Sequence, residues 1–254
     1  MVWFVGAGPG AADLITVRGM KKMQEADVVI YAGSLVSEEH LKYCKAGAEI
    51  YDSAGMDFNQ VIQVISDAEK KGKITVRLHT GDPSIYGTIR EQGDELSKRG
   101  IKWETVPGVS SFLAAAARLG VEFTVPGVSQ TVIITRLEGR TGKSEGGKLE
   151  ELAKHRASMS IFLSVQNIDG VVERLKAGYT ENTPIAVVYK ATWPDEKIIR
   201  GTLKDIKEKV KANGVDRFAQ ILVGDFLAPE YEMSKLYDPE FTHMYRAGEG
   251  KGEK

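Results

Sequence analysis

The stretch Val2-Trp3-Phe4-Val5-Gly6-Ala7-Gly8-Pro9-Gly10 decides the fold of this chain, because an apolar run passes directly into a glycine-rich turn. A short run of β-branched and aromatic residues predicts a buried strand, and clustered glycines predict a tight turn. The amphipathic residues 16–26 come next and predict a helix. A strand, a turn and a helix in this order form the first half of a βαβ unit, which builds a parallel sheet.

The same alternation continues along the chain and predicts two α/β domains with a cleft between them. In the first half, residues 28–31, 74–78 and 103–106 are expected to be strands, and 58–71 and 109–119 helices. The second half mixes crossovers with a hairpin whose return arm is residues 197–201, so its sheet is expected to be mixed. The predicted domains are 1–120, mainly parallel, and 121–230, followed by a tail (231–254) whose end is expected to be disordered.

Composition limits the possible functions. The 34 basic and 35 acidic residues nearly cancel, which argues against a nucleic-acid-binding protein. The single cysteine, Cys44, cannot form an internal disulfide, which fits the cytoplasm. No apolar stretch is long enough to span a membrane, and no signal peptide is expected. The four scattered histidines have no spacing typical of metal ligands, so no protein-bound metal is expected.

The glycine-rich turn also invites a dinucleotide-binding interpretation. The Rossmann fingerprint has a third glycine where this chain has Ala11, and Pro9 lacks the amide hydrogen that could bind pyrophosphate. Asp27 precedes the second strand instead of ending it, where a ribose-binding acid would lie. A nicotinamide- or flavin-dependent oxidoreductase is therefore kept only as an alternative.

Two further loops follow predicted strands. His79-Thr80-Gly81-Asp82-Pro83-Ser84 follows the strand that ends at Leu78, and Pro107-Gly108-Val109-Ser110-Ser111 follows the one that ends at Val106. Ligands of open α/β sheets bind at the carboxyl ends of strands, so we expect these loops and the first glycine-rich turn to converge. Asp82 is also expected to cap a helix starting near Ser84.

Together these segments resemble the tetrapyrrole methyltransferase family, over nearly the whole chain to about Pro229. The residues that carry the resemblance are Gly6 to Gly10 with Asp13-Leu14-Ile15-Thr16, then Gly81-Asp82-Pro83, then Val106 to Ser111. Four further segments are similar to the branch that methylates C11 of precorrin-4 or cobalt-precorrin-4: Tyr31 to Val36, His79 to Gln92, Ser129 to Thr141 and Val188 to Glu196.

The resemblance implies an S-adenosylmethionine-dependent enzyme, expected to be a homodimer, that methylates a tetrapyrrole without a nucleic-acid or membrane partner. The implied donor-binding residues are Pro9, Gly81, Asp82, Ile85, Tyr86, Ser110, Ser111, Leu163, Tyr189 and Ala191. Arg136, Arg140 and Lys190 are the candidates for binding the substrate carboxylates, with His79 as a further possible contact, and Asp82 is the candidate catalytic residue. The alternatives within reach are another corrin-ring or uroporphyrinogen methyltransferase and a non-catalytic tetrapyrrole-binding module.

Overall fold

The computed structural model describes residues 1–137 and 147–247, which form two five-stranded sheets with flanking helices. The first sheet has the order β3-β2-β4-β1-β5, and all of its described pairings are parallel. Its strands are β1 (Val2–Gly6), β2 (Val28–Tyr31), β3 (Glu49–Asp52), β4 (Thr75–His79) and β5 (Trp103–Val106). Its helices are α1 (Val17–Glu25), α2 (Phe58–Lys70), α3 (Ile89–Lys98) and α4 (Ser111–Leu119).

Capping side chains and a left-handed glycine mark the ends of these helices. The Thr16 hydroxyl accepts a hydrogen bond from the Gly19 amide at 3.1 Å and begins α1. Asp57 and Gln60 form a capping box, in which each side chain accepts from the other residue's backbone amide, and this begins α2. Gly72 has a φ of +67°, a left-handed conformation that favours glycine, and it follows the end of that helix.

Apolar side chains cover both faces of the first sheet. Val2 and Phe4 belong to the apolar layer that includes residues of α2 and α3, whereas Val5 belongs to the layer that includes Met23 of α1. These side chains are fully buried, as expected for alternating residues of a parallel strand with helices on both sides. The predicted parallel architecture of this sheet is confirmed.

The second sheet has the order β6-β7-β10-β8-β9. Its strands are β6 (Val132–Arg136), β7 (Ser158–Phe162), β8 (Pro184–Tyr189), β9 (Lys197–Thr202) and β10 (Ala219–Val223), and its helices are α5 (Leu149–Ala153), α6 (Ile168–Leu175) and α7 (Ile206–Ala212). β6 pairs with β7 in parallel, but β10 pairs with β7 antiparallel. The predicted mixed sheet and α/β class are therefore confirmed.

The chain divides into two compact units that are not contiguous in sequence. The first unit contains Met1–Leu119 together with Val188–Ile198 and Val215–Gln220. The remaining described residues belong to the second unit. The domains 1–120 and 121–230 stay a prediction; the two late segments join the first unit through contacts between residues far apart in the chain. The expected disorder of the chain end falls on residues 248–254, outside the described residues.

Candidate functional site

Three loops of the first unit lie side by side because their strands are neighbours in the order β4-β1-β5. We call residues 7–11 loop 1, residues 80–88 loop 2 and residues 107–110 loop 3; they follow β1, β4 and β5. All three strands are parallel, so the loops leave the same edge of the sheet. The predicted convergence of the three loops is confirmed.

Backbone hydrogen bonds join loop 1 to loop 2. The Gly8 amide donates to the Gly81 carbonyl at 3.2 Å, and the Gly81 amide donates back to the Gly8 carbonyl at 2.8 Å. The Ala7 amide donates to the His79 carbonyl at 2.7 Å. These bonds extend the pairing of β1 with β4 into the loops and fix the loops relative to each other.

Glycines allow the three loops to pack backbone against backbone. A Cβ atom added to Gly6 would lie 2.6 Å from the Gly108 Cα, and one added to Gly108 would overlap the Gly81 carbonyl oxygen. No side chain can occupy these positions without moving main chain. The glycines are therefore required by the close approach of the strands and loops.

Asp82 joins loop 2 to loop 3. Its Oδ1 accepts a hydrogen bond from the Ser84 amide at 2.8 Å, and its Oδ2 accepts one from the Gly108 amide at 2.9 Å. The expected helix near Ser84 is wrong, because residues 83–86 form turns and α3 begins only at Ile89. Asp82 thus caps a turn and holds the neighbouring loop; its catalytic role stays a prediction.

The rest of loop 2 is a tight and strained turn. Tyr86 and Thr88 have φ values of 56° and 53°, in the left-handed region that non-glycine residues rarely adopt. Ile85 donates its amide to the Asp82 carbonyl at 3.2 Å, and the Tyr86 side chain is exposed. Such strain in a surface loop is typical of functional sites, which is consistent with the predicted donor contacts at Ile85 and Tyr86.

The two serines of the third segment have different surroundings. Ser110 is buried, and its Oγ would lie 3.9 Å from a Cβ added to Gly81. Ser111 begins α4, and its hydroxyl donates to the Gln220 Oε1 at 3.1 Å. The structure therefore brings Ser110 next to loop 2, while Ser111 lies one residue further, against a late segment of the first unit.

The other late segment of the first unit contacts loop 1. We call residues 190–196 the clamp turn. The Trp193 indole Nε1 donates to the Pro9 carbonyl at 3.1 Å, and the Ala11 amide donates to the Thr192 Oγ1 at 3.0 Å. Ala191, which precedes Thr192, is buried, and its carbonyl oxygen would be 3.0 Å from a Cβ added to Gly10. The structure thus brings the predicted donor contacts Pro9 and Ala191 together.

Trp193, Thr192 and Gln220 are contacts that the sequence prediction missed. Trp193 entered it only as part of the hairpin turn and of the segment Val188 to Glu196 that carries the resemblance. The indole of Trp193 next to Pro194 in a short turn was only a weak indication of this contact, because the local sequence does not show which acceptor an indole N–H will find.

Lys190 already has an acidic partner within the clamp turn. Its Nζ lies 2.6 Å from the Asp195 Oδ2 and about 5.4 Å from the centre of the Tyr189 ring. The hydrogen bond to Asp195 raises the pKa of Lys190, so the ammonium stays charged. Lys190 has a left-handed φ of 45°. Tyr189 and Lys190 directly precede Ala191 in the chain, and a carboxylate ligand at Lys190 would compete with Asp195.

The His79 imidazole is buried in the face of the sheet that α2 and α3 cover. It packs edge-on against the Phe4 ring, with 5.6 Å between ring centres. Burial and the nearby Arg77 lower the pKa of His79 to about 3, so its ring is neutral. Its Nε2 is among the buried polar atoms for which the described residues supply no hydrogen-bond partner. The side chain thus points into the packed layer, while its carbonyl contacts loop 1.

The predicted residues of the second unit lie at one end of a parallel strand pair. Arg136 ends β6 opposite Phe162, and Leu163 directly follows β7. Leu163 is 55% exposed and has a left-handed φ of 49°. Arg140 lies outside the described residues. Arg136 and Leu163 therefore share an edge of the second sheet.

Most of the backbone amides of loop 1 already donate to oxygens of the protein. The amides of Ala7, Gly8 and Ala11 donate to protein oxygens, and Pro9 has none to donate. The chain then forms a 3-10 turn, so α1 begins only at Val17, seven residues after Gly10. A pyrophosphate at this turn would meet amides at Ala7, Gly8 and Ala11 that already donate to protein oxygens, and it would not lie at the start of an α-helix, which argues against the nicotinamide or flavin alternative.

The described ranges contain neither a cluster of metal ligands nor a helix able to span a membrane. Among residues 1–137 and 147–247, no three His, Cys, Asp or Glu side chains are grouped in a way that could hold a metal ion. In the same ranges, no helix has the length and apolar character needed to cross a membrane.

Comparison with known proteins identifies the family. A cobalt-precorrin-4 C(11)-methyltransferase of Methanocaldococcus jannaschii is 59% identical, over 98% of this chain and 97% of that protein. The X-ray structure of a cobalamin biosynthetic enzyme, cobalt precorrin-4 methyltransferase, is 48% identical with a TM-score of 0.87, covering 90% of this chain and 96% of that one.

A more distant solved structure is that of uroporphyrin-III C-methyltransferase from Thermus thermophilus in complex with S-adenosylhomocysteine. It is 25% identical with a TM-score of 0.74, covering 91% of this chain and 95% of that one. The family model for tetrapyrrole (corrin/porphyrin) methylases matches residues 1–207. With its interlocked glycine loops and these relatives, the chain belongs to the tetrapyrrole (corrin/porphyrin) methylase family.

Proposed function

We propose that this protein is an S-adenosylmethionine-dependent methyltransferase that methylates C11 of precorrin-4 or cobalt-precorrin-4, giving the corresponding precorrin-5 in cobalamin biosynthesis. The 59% identical relative and the 48% identical solved structure both carry names for this reaction, and both are matched over nearly their whole length. Such coverage supports transfer of the complete activity to this chain.

The observation that carries the proposal is the interlocking of three glycine loops at one sheet edge. Loops 1, 2 and 3 are held together by bonds between Gly8 and Gly81 and between Asp82 and Gly108. A surface built from backbone lets an adenosyl group approach closely. The proposed donor contacts are Pro9, Gly81, Asp82, Ile85, Tyr86, Ser110, Ser111, Leu163, Tyr189 and Ala191.

Methyl transfer from a sulfonium needs no side chain that forms a covalent bond to the substrate. The donor supplies an electrophilic methyl group; the ring carbon forms a bond to it while the carbon–sulfur bond breaks, and the macrocycle then loses a proton. No activated nucleophile is needed, so the main contribution of the chain is to position the reactants and exclude water, which can supply several kcal/mol, up to about 10. Asp82 can accept further hydrogen bonds besides its two backbone partners, and orienting the donor is its proposed task.

The carboxylates of the tetrapyrrole are proposed to bind cationic side chains. Arg136 and Arg140 can each hold a carboxylate with two parallel hydrogen bonds. Lys190 would exchange Asp195 for a substrate carboxylate. The burial of His79 against Phe4 favours a structural role for this histidine over contact with the substrate.

The decisive experiment is to incubate the protein with methyl-13C-labelled donor and with precorrin-4, cobalt-precorrin-4 or uroporphyrinogen III. The proposal expects label at C11 of one or both precorrins, located by NMR. Label only on uroporphyrinogen III would replace it with the alternative family activity. Light scattering of the purified protein tests the proposed homodimer, and fractionation of cells tests its proposed cytoplasmic location.

A further inference from the structure

We infer that Trp193 and Thr192 are positioning residues for methyl-donor binding: they hold loop 1 and Ala191 in the single arrangement that the donor contacts. The inference rests on the proposed function, because it takes the donor site to include Pro9 and Ala191. Neither Trp193 nor Thr192 is proposed to touch the reacting atoms.

Two hydrogen bonds of opposite direction connect the clamp turn to loop 1. The Trp193 Nε1 donates to the Pro9 carbonyl, and the Ala11 amide donates to the Thr192 Oγ1. The indole also covers Gly10, where an added Cβ would overlap the ring. Bonds to loop 2 hold Ala7 and Gly8, whereas Pro9 has no amide and Gly10 no side chain, so the clamp turn supplies contacts to this second part of loop 1.

Glu196 and Arg118 stabilise the clamp turn. The Thr192 amide donates to the Glu196 Oε2 at 2.7 Å, and the Arg118 Nε lies 2.9 and 3.0 Å from the two Glu196 oxygens. Arg118 belongs to α4, the helix that follows loop 3. The clamp turn therefore links loop 1 to the element that carries the predicted donor contact Ser111.

The backbone of the clamp turn is strained on both sides of Ala191. Lys190 and Thr192 have φ values of 45° and 72°, and the left-handed conformation is especially unfavourable for a β-branched residue such as threonine. The Lys190 amide donates to the Phe218 carbonyl at 2.8 Å, which helps to hold this conformation. A strained turn kept by specific hydrogen bonds indicates that the position of Ala191 matters for function.

The test removes one hydrogen bond at a time in the full-length protein. Trp193→Phe keeps an aromatic ring but loses the Nε1 donor, and Trp103→Phe is the matched control. Trp103 donates its indole N–H to the Ser97 Oγ at 3.0 Å, at the opposite, amino-terminal end of β5. We expect the Kd for S-adenosylhomocysteine, measured by calorimetry, to rise at least about threefold in W193F, the effect of losing one ordinary hydrogen bond. W103F should bind like the wild type.

A second pair of variants tests the other bond and covers the case in which W193F does not fold. Thr192→Val removes the acceptor for the Ala11 amide, and Thr192→Ser keeps it. T192V should bind S-adenosylhomocysteine at least about threefold more weakly, and T192S should bind within about twofold of the wild type.

Steady-state kinetics separates positioning from loss of folded protein. Positioning raises the KM for S-adenosylmethionine and leaves the KM for the tetrapyrrole unchanged, whereas a merely structural role lowers the active fraction with both KM values unchanged. Donor binding equal to that of the wild type in folded W193F or in T192V would overturn the inference. Failure of the wild type itself to bind S-adenosylhomocysteine would instead overturn the proposed function.

Discussion

The two sheets end in different ways where the predicted site residues lie. At the carboxyl ends of β4, β1 and β5, main chain packs against main chain, with Gly8, Gly81 and Gly108 at the contacts. At the ends of the parallel pair β6 and β7, the chain instead presents the side chains of Arg136 and exposed Leu163. The first edge therefore offers a ligand a main-chain surface, and the second offers it side chains. Substitution of the glycines at the first edge should therefore affect folding and donor binding, and substitution of Arg136 at the second edge should affect acceptor binding.

The largest effect is expected from Gly108→Ala. The new Cβ would overlap the Gly81 carbonyl and lie 2.8 Å from the Gly6 Cα, so backbone has to move. We expect a loss of about 3 kcal/mol in the free energy of unfolding, together with loss of donor binding. Urea denaturation and calorimetry measure both. Gly55→Ala, at a position with open space around it, is the control. Equal stability of the two variants would contradict the close main-chain packing that distinguishes the first edge.

The second prediction concerns acid stability at the first edge. The pKa of His79 is about 3 in the folded protein and near 6.5 when unfolded, so the unfolded chain binds the proton first as pH falls. The folded state should therefore lose up to about 1.4 kcal/mol per pH unit between pH 6.5 and 3, or about 2 kcal/mol at pH 5.

Denaturation curves at several pH values test this prediction with His79→Gln and with the exposed His155→Gln as control. H79Q should flatten the pH dependence in this window, and H155Q should keep it. The same slope in wild type and H79Q would mean that His79 is protonated in the folded protein.

A third, smaller effect is expected from Asp82→Asn. An amide can accept from only one of the Ser84 and Gly108 amides and places its NH2 group against the other. We expect about 1–2 kcal/mol of destabilisation and weaker donor binding. Stopped-flow methyl transfer with saturating donor separates the two roles: loss of an orienting residue leaves the shape of the pH–rate profile as in the wild type, whereas loss of a base changes it.

The smallest effect is expected from Arg136→Ala at the second edge. Removal of one partly exposed cation should raise the KM for the tetrapyrrole about fivefold, while stability and the Kd for S-adenosylhomocysteine stay as in the wild type. Weaker donor binding in R136A would show that the two edges are not functionally distinct.

The sequence predicted the strand-loop-helix order because hydrophobic periodicity is a local property. It predicted the convergence of the loops because the carboxyl ends of parallel strands lie at the same edge of a sheet. It failed at Ser84, since an acceptor two residues upstream supports an isolated turn as well as a helix start. It also missed β3, a short edge strand with alternating partly exposed residues. The bond from Trp193 to Pro9 joins residues 184 positions apart, and no local pattern encodes such a contact.

The late segments of the first unit have a consequence for synthesis of the chain. The Ala11 amide acquires its Thr192 partner only after some 180 more residues have been added, about 10 to 40 s at ordinary rates of translation. Residues 1–119, which contain the parallel sheet, are synthesised early, but loop 1 lacks its hydrogen bonds to the clamp turn until residues 190–196 have been added. We therefore expect the nascent chain to become able to bind a ligand at this edge only near the end of translation.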